Sequence, residues 1–341
     1  MSFATILDTL TTIIWSPALV FVCLAVGIFF TVSTLFMQIR CIPDMFQQMV
    51  GNDDSESGVS SFKALVISLA GRVGVGNIAG VATAIAYGGP GAVFWMWIVA
   101  IFGAATSFME CTLAQIYKEK DQDTGEYRGG PAYYIEKTFQ HTRARKFMLV
   151  YAIIFAVCMV LSGGYFLLGI QANGVADAMR NAWGINVWLS AAVSAVLVGI
   201  IIMGGVKRIA NFASLVVPFM AIIYILAAVI IMFVNFHHID DVFSLIFRSA
   251  FDREAMFSGM LGSAIMWGVK RGIYSNEAGQ GTGPQSAAAA EVSHPAKQGF
   301  VQAFAVYAGT LFVCSATAFI ILSTDMYKVF EGESQDGPVR Y

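Results

Sequence analysis

The sequence predicts an all-α integral membrane protein, and three observations lead to that fold class. Of its 341 residues, 57% are hydrophobic and only 12% are charged, whereas a soluble domain carries roughly 25% charged residues. The mean hydropathy is +0.69. Several runs also have the length of about 20 apolar residues that a helix needs to cross a bilayer. Together these observations exclude a soluble globule and a disordered chain, and the net charge of −2 argues against binding to nucleic acid.

About eight runs are expected to be transmembrane helices, because they are long and lack the period-2 alternation of barrel strands. In chain order they cover residues 13–37, 62–87, 92–109, 147–176, 182–206, 209–236, 255–269 and 298–324. Two short helices at the membrane surface are predicted at Pro131–Phe139, since proline suits a first helical turn, and within 276–290. Glu110 is expected at the half-solvated cytoplasmic end of the third span.

The distribution of lysine and arginine over the loops predicts the orientation. If the N-terminus lies outside, most basic residues fall on the cytoplasmic side, where positive charge accumulates in membrane proteins. We therefore expect the N-terminus and residues 325–341 outside, and residues 118–146 inside, with the protein in the plasma (inner) membrane.

The second span is rich in glycine. Residues 71–80 (GRVGVGNIAG) contain four glycines, each of which weakens a helix by about 1 kcal/mol relative to alanine. Unwound backbone is tolerated in a membrane where protein or a water-filled cavity surrounds it, and it offers carbonyls to a cation and N–H groups to an anion. The segment therefore predicts a broken, ligand-binding helix. Two alternatives are close helix packing through the GxxxG at 76–80 and a nucleotide-binding loop, which would need a βαβ unit.

The seventh span is short, contains glycine and is expected to end at Lys270, Arg271 and Gly272. Interrupted spans at matching places in two halves of a chain mark the binding site of secondary transporters. Spans two and seven lie five helices apart, which favours a five-plus-five inverted repeat with one extra N-terminal helix. An ordinary helix with a basic cytoplasmic end is the alternative.

This repeat divides the chain into three parts. Residues 1–61 hold the extra helix and a cytoplasmic loop, 62–236 the first five-helix repeat, and 255–341 the first part of the second repeat. A second repeat as long as the first would extend past residue 341, so we expect the second repeat to be incomplete.

Three polar side chains inside the spans are the main candidate ligands. Asn77 lies within the glycine-rich segment, and a hydrogen bond between helices is its alternative role. Gln171 and Asn173 on span four are the next candidates, and an ordinary contact between helices is again the alternative. Arg72 carries a charge, so we expect it to snorkel or to face an internal cavity, and not to face lipid.

Four segments resemble the alanine/glycine:cation symporter family, also called sodium:alanine symporters. They are 71–97 (GRVGVGNIAGVATAIAYGGPGAVFWMW), 129–137 (GGPAYYIEK), 169–173 (GIQAN) and 271–290 (RGIYSNEAGQGTGPQSAAAA). These motifs are long, ordered and spread over most of the chain. The resemblance implies the LeuT-type fold and uptake of small neutral amino acids, alanine and glycine, coupled to sodium or alternatively to protons. It implies a monomer in the lipid bilayer that has no organic cofactor, no nucleic-acid partner and no enzymatic activity.

The resemblance also implies site residues at the broken helices 2 and 7. The substrate would contact Val75, Gly76, Asn77, Gln171, Ile265 and Met266, and a sodium ion would use the backbone carbonyls of Ala70 and Val73. Many members of the family have threonine where this chain has Val75, which removes one hydroxyl contact.

Three alternative functions follow from the same residues. The family's sodium site is completed by a helix that would lie beyond residue 341, so one alternative is a truncated fragment that does not transport. A channel would need rings of repeated polar residues. An intramembrane enzyme would need a motif such as HExxH or GxSxG, and the sequence contains neither.

Overall fold

The computed structural model describes residues 3–50, 59–251, 260–324, 331–334 and 337–340. These residues are mostly helical, as the sequence predicts. The helices are α1 (Phe3–Ile14), α2 (Pro17–Ser33), α3 (Met37–Arg40), α4 (Ile42–Val50), α5 (Ser61–Arg72), α6 (Val75–Gly88), α7 (Gly91–Ile116), α8 (Pro131–Phe139), α9 (Arg145–Leu161), α10 (Leu167–Trp183), α11 (Val187–Ile202), α12 (Gly205–Val234), α13 (Ile239–Ala250), α14 (Met260–Asn276), α15 (Thr282–Ala289), α16 (Pro295–Tyr307) and α17 (Ser315–Ser323).

Short irregular elements complete the described chain. One π-helical turn (Ser162–Phe166) joins α9 to α10, and another (Ala308–Cys314) joins α16 to α17. Two antiparallel hairpins depart from an all-α protein. They pair β1 (Glu119–Lys120) with β2 (Tyr127–Arg128), and β3 (Glu331–Ser334) with β4 (Gly337–Arg340).

Six helical segments of the described chain are long and apolar enough to cross a membrane. They are Thr11–Ser33, Ser61–Gly88, Gly91–Ile116, Arg145–Trp183, Gly205–Val234 and Pro295–Ser323. The expected fifth span corresponds to the shorter apolar helix α11. It begins after Gly184, whose left-handed backbone ends α10. The expected seventh span corresponds to α14, and its predicted start at residue 255 falls outside the described residues.

The end predicted for the seventh span is wrong. Helix α14 continues through Lys270, Arg271 and Gly272 to Asn276. The two cations do not end the helix, because lysine and arginine are good helix formers. Each also lies over the ring of Trp267, at 5.7 and 5.4 Å from its centroid. Such cation–π contacts stabilise a charged side chain beside an apolar surface.

The predicted end of the third span is also wrong. Helix α7 extends to Ile116, so Glu110 lies inside the helix. Its exposed fraction is 8%, which makes it buried and not half-solvated. The short helix predicted at Pro131–Phe139 is present with those bounds.

The centre of the fold is a pair of broken helices. Helices α5 and α6 are separated at Val73 and Gly74, and α14 and α15 are separated by residues 277–281. Helix α6 packs against α14, and α5 packs against α15. The two broken helices run antiparallel, since Tyr274 meets Gly76 at one end of the α6–α14 contact and Trp267 meets Gly88 at the other.

Helices α7 and α16 pack together against this pair. Buried residues of α6, α7, α13 and α17 form a hydrophobic core beside it. Helices α9 to α12 bury few of their residues and expose many large apolar side chains. Such a surface suits the hydrocarbon of a bilayer.

Candidate functional site at the two helix breaks

The first break lies where the glycine-rich segment predicts it, between Arg72 and Val75. The start of α6 leaves backbone N–H groups without partners in the helix. The Gly74 N–H donates to Asn77 Oδ1 at 3.5 Å, and the Val75 N–H donates to Gln171 Oε1 at 3.1 Å. Helix starts of this kind bind anions and carboxylates, because their N–H groups and dipole point at the ligand.

Gln171 reaches the break from α10 and is half-buried. Its amide also lies against Gly74, where a Cβ would be 3.0 Å from Oε1. The structure therefore brings Val75 and Gln171, two of the expected site residues, into direct contact across 96 residues of sequence. Their contact with a substrate stays a prediction.

Asn77 is 1% exposed and connects three parts of the fold. Its Nδ2 donates hydrogen bonds to Ser275 Oγ at 3.2 Å and to the Gly309 carbonyl at 2.8 Å. The same nitrogen lies 3.3 Å from Cys314 Sγ. The alternative role of Asn77, a hydrogen bond between helices, is thus present in this structure. Ser275 Oγ also lies 3.1 Å from Thr310 Oγ1, so these side chains form a buried polar cluster.

Gly76 lies directly beneath an aromatic ring. A Cβ on Gly76 would be 2.8 Å from Cε1 of Tyr274, closer than carbon atoms approach. Tyr274 and Ser275 were not expected among the site residues. The available signal was their position in the matched segment 271–290, immediately before the second break.

Ile265 and Met266 do not join this group. They pack in a hydrophobic cluster with Val20, Val99 and Val269. Eight residues of helix separate Met266 from Tyr274, which is about 12 Å along the axis of α14. The structure thus places Tyr274 at the level of Gly76, where Ile265 and Met266 were expected.

Ala70 and Val73 adjoin the first break. Ala70 is in the last turn of α5, where helical carbonyls lack partners in the helix, and Val73 is the residue after its end. In the described part of the chain, no group of three or more His, Cys, Asp or Glu side chains is placed to hold a metal ion. A cation here would rely on backbone and hydroxyl oxygens, which are ligands for hard cations.

The second break is built from alternating left-handed residues. Glu277, Gly279 and Gly281 have φ angles of +55°, +81° and +88°. The left-handed conformation costs a residue with a side chain roughly 1–2 kcal/mol. At Glu277 this cost is offset by its carboxylate, which accepts a 2.6 Å hydrogen bond from Thr282 Oγ1 and lies against Gly71, in the last turn of α5 before the first break. The second break therefore contacts the end of the helix that leads into the first.

A polar contact on the predicted cytoplasmic side joins α7 to α15. Gln115 Nε2 donates to the carbonyls of Ala287 and Ala290, and Lys118 Nζ donates to the Ala290 carbonyl at 2.6 Å. Lys118 Nζ also lies 4.1 Å from the ring centroid of Tyr127. Burial lowers the pKa of Lys118 to about 8, and the nearby carboxylate of Glu291 opposes that shift.

A family model described as the sodium:alanine symporter family matches residues 1–338. The carrier protein YrbD of Bacillus subtilis is 55% identical over 320 residues, which cover 94% of this chain and 64% of YrbD. The sodium/proton-dependent alanine carrier protein of Bacillus sp. (strain PS3) is 47% identical over 298 residues, covering 87% of this chain and 64% of that protein. The sodium/alanine symporter AgcS of Methanococcus maripaludis is 39% identical over 339 residues, covering 97% of this chain and 73% of that protein. The chain thus spans 64% of the length of the first two relatives.

Proposed function

The chain belongs to the sodium:alanine symporter family, and from that premise we propose that it serves in sodium-coupled uptake of small neutral amino acids, alanine and glycine. Two relatives are named for alanine and sodium, the carrier protein of Bacillus sp. (strain PS3) and AgcS. The name of the first also includes protons, which are therefore a second candidate coupling ion. The observation in this molecule that carries the proposal is the hydrogen bond that the Val75 N–H, which has no partner within its helix, donates to the Gln171 amide oxygen at a helix break.

The substrate carboxylate would bind at the start of α6. In the present arrangement Gln171 Oε1 occupies the acceptor position on the Val75 N–H. A carboxylate oxygen is a stronger acceptor than an amide oxygen, because its hydrogen bonds are charge-assisted. The substrate would take over this bond, and the displaced Gln171 oxygen would then be available to the substrate ammonium.

The size of the substrate would be limited by Tyr274. Its ring covers Gly76, so a methyl side chain fits above the break more readily than a branched one. The proposed substrate site consists of Val75, Gly76, Asn77 and Gln171, with Tyr274 in the place expected for Ile265 and Met266.

The coupling sodium ion would bind at the first break as well. The carbonyls of Ala70 and Val73 are the proposed ligands, since they lie where α5 ends and its carbonyls leave the helix. No organic cofactor is part of this mechanism.

The LeuT-type inverted repeat is the fold that we propose for this mechanism. The first repeat would run from 62 to 236, after the extra helix in 1–61, and the second would begin at 255. Two broken helices that pack antiparallel with adjoining breaks support this division. Transport would then be by alternating access in a monomer of the plasma membrane, with the N-terminus outside.

Binding of alanine by the purified chain in lipid nanodiscs tests the proposal, and it needs no substrate accumulation. We expect saturable alanine binding in sodium chloride, and an affinity at least tenfold lower in choline chloride. Gln171→Leu should weaken binding about tenfold or more, because it removes a hydrogen-bonding group from a site with polar partners.

Asn173→Leu is the matched control. Asn173 is exposed on the same helix and its Nδ2 donates to Asp177, so this variant should bind alanine as the parent does. Equal loss in both variants would mean that α10 as a whole is disturbed. Unchanged binding in Gln171→Leu would reject the proposed site.

A further inference from the structure

A buried carboxylate on α7 has no part in the mechanism described so far. Glu110 is 8% exposed and lies more than one turn before the end of a helix that is long and apolar enough to span a membrane. An ionisable side chain in such a position is costly, and it usually has a function.

The Glu110 carboxylate is bonded to the second helix break. Its Oε1 accepts a 3.1 Å hydrogen bond from the backbone N–H of Gly279. Gly279 lies in the middle of the unwound residues 277–281, and its φ of +81° holds the N–H in a left-handed turn. Glu110 is therefore tied to backbone that has left the helical hydrogen-bond pattern.

Charged and titratable groups surround Glu110 on several elements. Arg72 on α5 attracts its negative charge, and Glu277 in the break repels it. Cys111 follows it on α7, and Tyr134 faces it from α8. The environment thus contains one positive charge and one competing negative charge.

Arg72 compensates Glu110 without a direct hydrogen bond in this structure. Its Nη1 donates to the Gln302 carbonyl at 2.9 Å, and its Nη2 donates to Ser107 Oγ at 3.3 Å. A carboxylate with one backbone donor and a cation held elsewhere is poised to change its ionisation when its surroundings change.

We propose that Glu110 is a positioning residue of the transport site, which holds the break at Gly279 when it is ionised and loosens it when it is protonated. A hydrogen bond to a carboxylate is roughly twice as strong as one to a neutral acceptor. Tyr274 and Ser275 precede the same break and contact Gly76 and Asn77, so the ionisation of Glu110 would reach the substrate through them. This inference rests on the proposed function.

Hydrogen exchange of the amides in 277–281, measured by mass spectrometry on the full chain in nanodiscs, tests the first half of the proposal. At pH 9.5, where the parent carboxyl is ionised, Glu110→Gln should exchange about tenfold faster than the parent, and Glu110→Asp should recover part of the protection. On lowering the pH, the ratio of the two rates should fall toward one as the parent becomes protonated. The comparison is made at each pH, because intrinsic exchange also depends on pH.

Glu136→Gln, a change in α8 outside this cluster, is the control and should leave the exchange unchanged. Equal protection in Glu110→Gln and the parent at every pH would overturn the proposal, as would a ratio that does not vary with pH. This readout requires no substrate, so it stands apart from a failure to bind alanine.

The second half is tested by the pH dependence of alanine binding in sodium chloride. We expect the affinity of the parent to fall at least threefold toward acid pH and that of Glu110→Gln to stay level. Parallel pH profiles in the two proteins would reject a link from Glu110 to the site. Absence of alanine binding in the parent would instead contradict the proposed function.

Discussion

The Val75 side chain rests on the backbone of Gly174. A Cβ built on Gly174 would lie 2.5 Å from Cγ2 of Val75, so only a glycine lets α10 come this close to the start of α6. Gln171 lies one turn earlier on the same face of α10, since residues three apart on a helix are neighbours. Gly174 thus permits the close approach of α10 to the start of α6, and Gln171 accepts the hydrogen bond from the Val75 N–H.

Gly174→Ala should therefore push α10 away from the break. We expect a loss of about 1–3 kcal/mol in stability, the usual range for overpacking, and weaker alanine binding as the bond from Val75 to Gln171 lengthens. Thermal unfolding in nanodiscs and a binding isotherm measure the two effects. Gly169→Ala on the same helix is the control, because a Cβ at Gly169 would meet no atom within 4 Å in the part of the chain that the structure describes. If both variants behave alike, the contact with Val75 does not matter.

Gly76→Ala should clash with the ring of Tyr274, which a Cβ would approach to 2.8 Å. We expect destabilisation of roughly 1–3 kcal/mol, and partial recovery in the double variant Gly76→Ala/Tyr274→Ala. A double-mutant cycle on the unfolding temperature measures this coupling, which for residues in contact is about 0.5–3 kcal/mol. Gly262→Ala on α14, where a Cβ meets no atom of the described residues within 4 Å, should not destabilise the protein, because alanine favours a helix over glycine. Additive effects of the two single changes would contradict the proposed contact.

Burial lowers the pKa of Lys118 to about 8, so its amine should react with amine reagents at a lower pH than an ordinary lysine does. The neutral amine is the reactive form, so modification should rise with a midpoint near pH 8. Glu291→Gln should move the midpoint lower, because the carboxylate opposes the shift. Mass spectrometry of the modified peptide gives the midpoint, and a midpoint near 10 would contradict the burial of this amine. An unfolded lysine has a pKa of about 10.4, so the unfolded chain binds more protons than the folded chain between pH 8 and 10. Burying the charged amine costs folding free energy below pH 8, and that cost disappears as the pH rises through this window.

The orientation predicts that the hairpin of β1 and β2 lies in the cytoplasm. Gly125 at its tip has a φ of +71° and would be strained by a side chain, so the exposed Gln122 is the better place for a reporter cysteine. With the exposed Cys158 replaced by serine, Gln122→Cys should resist an impermeant maleimide in intact cells and react after permeabilisation. Labelling before permeabilisation would reverse the predicted topology.

Much of the helical pattern followed from local sequence. The long apolar runs, the break among the glycines before Val75 and the short helix at Pro131–Phe139 depend on hydropathy, glycine and proline, which act within a few residues. The continuation of α14 past Lys270 could not be predicted in this way. Hydropathy marks the two cations as the end of an apolar run, but lysine and arginine are good helix formers, and the ring of Trp267 lies beneath both of them.

The composition of the site was harder to predict for a related reason. Gln171 and Asn77 stand out because they are polar within apolar helices. Tyr274 faces Gly76 only because α6 and α14 pack antiparallel in one particular register, and a shift of two turns would have placed Met266 there. The Glu110 contact with Gly279 likewise joins elements separated by 169 residues.

The adjoining breaks divide the two broken helices into two packed pairs. Helices α5 and α15 pack together on one side of the breaks, and α6 and α14 pack together on the other. If the proposed alternating access is a rotation of one pair against the other, its hinge lies at the breaks, where displacements are smallest. A substrate bound at Val75 and Gln171 would then move little while access to it changes from one side of the membrane to the other.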